Sequence, residues 1–119
     1  MCGACGATVY PDPVMGAENT LRNRILVAQT VSSVCAGVPG APRIAALAAG
    51  WSVTSATGAI SLCHTVADIW RALPVRSASV LQHALEVRAL AEGPVGLSAR
   101  VVALGLDLTR QRVLIGPHR

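Results

Sequence analysis

The sequence predicts a small single α+β domain, with helices on one side of a small antiparallel sheet. Three observations lead there. Apolar residues repeat at helical spacing before residue 36 and after residue 65. Between those limits they alternate at strand spacing. Breakers separate the runs: Gly37, Pro39, Gly40 and Pro42, then Pro74, then Gly93-Pro94. The chain has 119 residues, which suits one domain.

Residues 1–17 read as a cysteine knuckle and loop. Gly3, Gly6, Pro11, Pro13 and Gly16 punctuate them too densely for a long element. Thr8-Val9-Tyr10 has the composition of a short strand, and Pro11-Asp12-Pro13 holds the chain extended. The core domain spans 18–110. Its first helix is expected from Glu18 to Cys35, because Leu21, Ile25, Ala28, Ser32 and Cys35 form one stripe. Val27, Val31 and Val34 widen it. Residues 43–63 read as a two- or three-stranded antiparallel meander with one face buried. Ile44 to Ala48 is an apolar run that Gly50 ends. Trp51 and Val53 then share a face, and so do Ile60 and Leu62.

Thr65 to Asp68 matches a capping box with Asp in place of Glu, so a second helix is expected at Thr65 and ends at Pro74. A third is expected over 77–92, with Val80, Leu81, Ala84, Leu85, Arg88 and Leu90 at mixed spacing. A fourth is expected over 98–108. Residues 111–119 complete a basic tail that starts at Arg110, with a short strand at Val113-Leu114-Ile115.

Composition narrows the class. Hydrophobic residues make up 52% and charged residues 13%, which excludes a disordered chain. Phe is absent, so Trp51 and Trp70 are both expected in the core. All ten basic residues are Arg, a mark of coding bias before it is a mark of nucleic acid. The net charge of +4 permits an acidic partner without requiring one. No secretory signal and no stretch long enough to span a membrane is read, so a cytoplasmic protein is expected. A mean hydropathy of +0.52 implies apolar residues left on the surface, and hence a protein partner or a homo-oligomer. The candidate face is helix four. Val101, Leu104 and Leu108 supply apolar contact on more than one side, and Arg100 and Arg110 form a polar rim.

The one chemically specific motif is Cys2-Gly3-Ala4-Cys5-Gly6. Two thiolates at this spacing can face one tetrahedral metal, and the glycines allow the tight turn. These five residues resemble one knuckle of a zinc ribbon. That resemblance implies zinc as cofactor and a second ligand pair, and no second Cys-x-x-Cys follows. The nearest substitute is Cys63 with His64, where a strand gives way to a helix cap. Cys35 falls on the apolar stripe of helix one and reads as core. His83 reads as solvent-facing.

Other chemistries fit less well. A disulfide-exchanging pair normally sits between a strand and a helix, whereas this one precedes Pro11 and Pro13. The three Asp and three Glu form no catalytic pair, and no phosphate-binding loop is present. The expected function is therefore that of a small, non-enzymatic accessory or regulatory protein that binds a protein partner, with a metal-stabilised N-terminal knuckle. One alternative is a nucleic-acid-associated regulator using Arg22, Arg24, Arg110 and Arg112. Another is a thiol redox or metal-handling protein.

Overall fold

The structure, a computed structural model, describes residues 12–16, 19–38, 40–73 and 78–115, with backbone only over 112–115. Cys2, Cys5 and the Thr8-Val9-Tyr10 segment lie outside the described residues. Helix α1 spans Leu21–Cys35. Strands β1 (Arg43–Leu47), β2 (Gly50–Thr54) and β3 (Ile60–Cys63) follow. Helices α2 (Val66–Ala72), α3 (Ala78–Glu92) and α4 (Leu97–Ile115) complete the order. The α+β class is as the sequence predicts.

Local chemistry sets the boundaries. Helix α1 starts at Leu21 because Thr20 is extended and its hydroxyl accepts the Asn23 N–H at 3.2 Å. The capping box at Thr65 is complete. Thr65 Oγ1 accepts from Asp68 N at 3.2 Å, and Asp68 Oδ2 accepts from Thr65 N at 3.3 Å. Leu73 is extended, as a residue before proline should be. Helix α4 runs past the expected limit at residue 108. No Gly or Pro interrupts it between Gly105 and the Gly116-Pro117 pair. Val113, Leu114 and Ile115, read from sequence as a strand, are its last turn instead.

The strands form one antiparallel meander in the order β1-β2-β3. Its register pairs Ala46 with Trp51 and Trp51 with Cys63, so these three share a face with Ile44 and Val53. That face turns toward the helices. Trp51, Val53 and Cys63 are buried on it. Ile60 and Leu62 fall on the other face and are 65% and 70% exposed. Within β3 the smaller thiol therefore takes the core position. The pairing with Trp51, not the size of the side chain, decides which way β3 faces.

The core joins that face to α1, α2, α3 and α4. Both tryptophans are inside it, as composition requires, and both indole N–H groups are satisfied. Trp51 Nε1 donates to Arg24 O at 2.9 Å, and Trp70 Nε1 donates to Val101 O at 3.1 Å. The loop region before α1 contributes more than expected. Val14 and Met15 are buried. Asp12 Oδ1 accepts from Val14 N at 3.0 Å, while its Oδ2 accepts from Val66 N at 2.9 Å. One carboxylate thus ties the N-terminal turn to the start of α2.

Helix α4 approaches Trp70 closely because Gly105 has no side chain. A Cβ there would lie 2.6 Å from Trp70 Cζ2 and 2.8 Å from Cδ2, inside van der Waals contact. Gly105→Ala is therefore expected to destabilise the fold by about 1–3 kcal/mol, despite the better helix propensity of Ala. Urea unfolding of the variant checks this. The exposed control Gly37→Ala, which meets nothing within 4 Å, should show no comparable loss.

Candidate partner-binding surface

Helix α3 carries two apolar stripes. Leu81 and Leu85 form the buried one. Val80, Val87 and Leu90 lie on the opposite side, 45%, 54% and 87% exposed. The mixed spacing noted in the sequence is the trace of these two stripes superposed. Beyond α3 the chain turns through Gly93 and Gly96, whose φ angles of 80° and 111° suit glycine. Val95, between them, is 84% exposed.

Between the end of α3 and α4 lies a groove of about 510 Å³. Small residues line it, including Ala89, Gly93, Ala99 and Ala103, with Leu104 and Leu106 beside them. Asp107 and Arg110 provide its charge. On α4, Ala99, Ala103, Leu106 and Arg110 recur at three- and four-residue steps and so share one side. Arg110 also reaches Glu86 Oε2 at 3.7 Å, and Arg88 Nε pairs with Glu92 Oε2 at 2.9 Å. These pairs are partly solvated and contribute at most about 1 kcal/mol each. Arg110 with Glu86 edges the groove, whereas Arg88 and Glu92 follow Leu81 and Leu85 on the inner side of α3, where Arg88 also meets Ser33 of α1.

The residues expected to bind a partner separate into two groups. Leu104 lines the groove and Arg110 stands at its edge. Leu108 is half-buried. Val101 is fully buried and belongs to the core, its carbonyl accepting the Trp70 indole. Arg100 is exposed and its Nε donates to Val14 O at 3.3 Å, which fastens the N-terminal turn. Val87, Leu90, Ala89, Pro94 and Val95 were missed by sequence reasoning. An apolar residue on the outer side of an amphipathic helix carries no signal until the inner side is known.

The expected metal ligands divide at β3. Cys63 is buried against the sheet interior and His64 is exposed. Burial first, and the negative charge of Asp68 second, push the Cys63 thiol up from its ordinary range. Among the described residues no three His, Cys, Asp or Glu gather to hold a metal ion. Cys35 is buried, as read, and burial raises its thiol to about 11. Thiolate is the reactive form. In the native protein Cys35 and Cys63 should resist N-ethylmaleimide near neutral pH and react only after denaturation, as mass spectrometry of digests would show. The sign for stability follows. Between the ordinary thiol value of 9.0 and about 11 the folded Cys35 keeps its proton and the unfolded one loses it. Stability therefore falls as pH rises through that interval.

Of the arginines read as nucleic-acid contacts, Arg22 and Arg110 are exposed. Arg24 is only 8% exposed. Its guanidinium donates to Leu47 O at 2.9 Å, Ala48 O at 2.7 Å, Asn19 O at 2.8 Å and Asn19 Oδ1 at 2.7 Å. It is committed inside the fold and does not face a ligand. The side chain of Arg112 lies outside the described residues.

Among the described residues no helix is long and apolar enough to cross a membrane. No family model, no curated protein and no solved structure matches this chain.

Proposed function

We propose that this chain is a small accessory or regulatory protein, without catalytic activity of its own, that binds a protein partner across the groove between α3 and α4. The carrying observation is the outer stripe of α3, where Val87 and Leu90 stand open opposite a complete core stripe. Apolar side chains grouped this way beside a groove are the usual mark of an interface. The small residues of the groove allow a partner backbone to come close, and an amphipathic helix fits such a site. The carboxylates support a non-catalytic reading. Asp12 and Asp68 cap backbone N–H groups, and Glu86 and Glu92 meet arginines.

The test is mass in solution from native extract, compared with the 12.2 kDa of the chain alone. Wild-type protein should travel in a larger complex that survives high salt. A Leu90→Glu, Leu104→Glu variant with an unchanged circular dichroism spectrum should travel as the free chain. A complex that dissolves steeply with salt would point to phosphate contacts and the nucleic-acid alternative. A complex unaffected by the two substitutions would overturn the assignment of the surface.

A further inference from the structure

A second surface lies beside β1 and shares no lining residue with the α3–α4 groove. Among the described residues strand β1 is an edge of the sheet, paired only with β2. In an antiparallel pair the N–H and C=O groups of alternate residues point away from the partner strand. Along β1 those groups face no other strand among the described residues.

That edge adjoins an apolar groove of about 250 Å³. Ile25, Ala28, Gln29 and Ser32 of α1 form one wall, and Ile44 and Ala46 of β1 form the other. Ile25 is 43% exposed there. A free main-chain edge beside an uncovered helix flank specifies an extended ligand. Main-chain bonds would fix its conformation, and alternate side chains would enter the groove.

Charge specifies it further. The N-terminal turn of α1 lies at the C-terminal end of β1, because Arg24 on α1 reaches Leu47 O and Ala48 O. Arg22 shares the flank of Ile25 and Gln29 by helical spacing, so it stands near the Leu47 end. Arg43 opens β1 at the opposite end, on the outer face of the sheet, since Ile44 and Ala46 take the groove side. Both arginines are exposed, and neither forms an ion pair among the described residues. Neither α1 nor β1 contains Asp or Glu. The groove is therefore apolar along its length, with Arg22 beside its Leu47 end and Arg43 flanking the strand edge from the outer face at the other.

We propose that β1 takes up an extended segment of a partner protein as a fourth strand. The segment has small apolar residues at alternate positions and an acidic residue at each end. About five residues match the length of β1 at about 3.4 Å per residue. This site is independent of the α3–α4 surface and stands if that surface fails.

The experiment titrates the full chain with two synthetic peptides, Glu-Val-Thr-Val-Thr-Val-Glu and its Lys-ended counterpart. Binding is read by fluorescence anisotropy and by amide chemical shifts. The acid-ended peptide should bind and move the amides of Arg43–Leu47. The Lys-ended peptide should bind about five- to tenfold more weakly, since each rim pair contributes up to about 1 kcal/mol. The double variant Arg22→Glu, Arg43→Glu, both exposed and so expected to fold, should reverse that preference. Equal binding of the two peptides, shifts confined to α3 and α4, or no binding at millimolar peptide would each overturn the proposal. Concentration-dependent dimerisation through β1 without added peptide would overturn it in favour of a second copy as the occupant.

Discussion

Replacing Trp51 with Ala is expected to lower the unfolding free energy by about 3–5 kcal/mol, the cost of removing a large aromatic from a closed core. Trp51 has no exposed surface and stands at the centre of the sheet, paired with Ala46 on one side and Cys63 on the other. Its loss would open a cavity between the middle strand and helices α1 and α2, and would leave Arg24 O without its indole donor. A core without Phe has few other large side chains to close around the gap. Small domains hold only about 5–15 kcal/mol in total, so the substitution removes a large share of the stability. Guanidinium unfolding followed by circular dichroism measures the loss. A shift under about 1 kcal/mol would mean that the indole is not the centre of the core.

Arg24→Met is expected to cost about 2–4 kcal/mol, through carbonyls that lose a charged donor. The substitution keeps the apolar stem and removes four hydrogen bonds, to Leu47 O, Ala48 O, Asn19 O and Asn19 Oδ1. All four acceptors are neutral, so the guanidinium acts here as a fork of donors and not as half of an ion pair. Arg24→Lys should recover only part of the loss, because an ammonium cannot reach the hairpin carbonyls and Asn19 at once. Trp51 gives a local reading, since its indole donates to the backbone of residue 24. Its emission should change in both variants. A Met variant as stable as wild type would show that water replaces the guanidinium without cost.

Much of this fold is legible in the sequence because it is written in local chemistry. The Thr65 capping box, the breakers after Cys35 and Glu92, and the alternation through Trp51 and Val53 all act within a few residues. Where sequence reading fails, the deciding contact is distant. Cys63 is inward because Trp51, twelve positions earlier, is its neighbour across the strands. Arg24 reads as one more charge on a helix until Leu47 and Ala48 are seen to accept from it. Val101 and Leu104 look alike on a helix with apolar residues on several sides, and only Trp70 tells them apart. Of the residues around the groove, sequence reading names Leu104 and Arg110 on α4, and it does not single out the outer stripe of α3.

The hairpin between β1 and β2 has a kinetic consequence. Leu47 pairs with Gly50, so Ala48-Ala49 is its whole turn. No described residue other than glycine has a positive φ, so the turn is neither of the two tight types that match strand twist. Two alanines have little turn preference of their own. What holds the corner is Arg24, more than twenty positions upstream. The hairpin should therefore not form ahead of α1 as a local event. The first turn of the helix and the corner of the hairpin must come together in the rate-limiting step. Substitutions at Arg24 should slow refolding nearly in proportion to the stability they remove, whereas Gly105→Ala, at the far contact with Trp70, should chiefly speed unfolding.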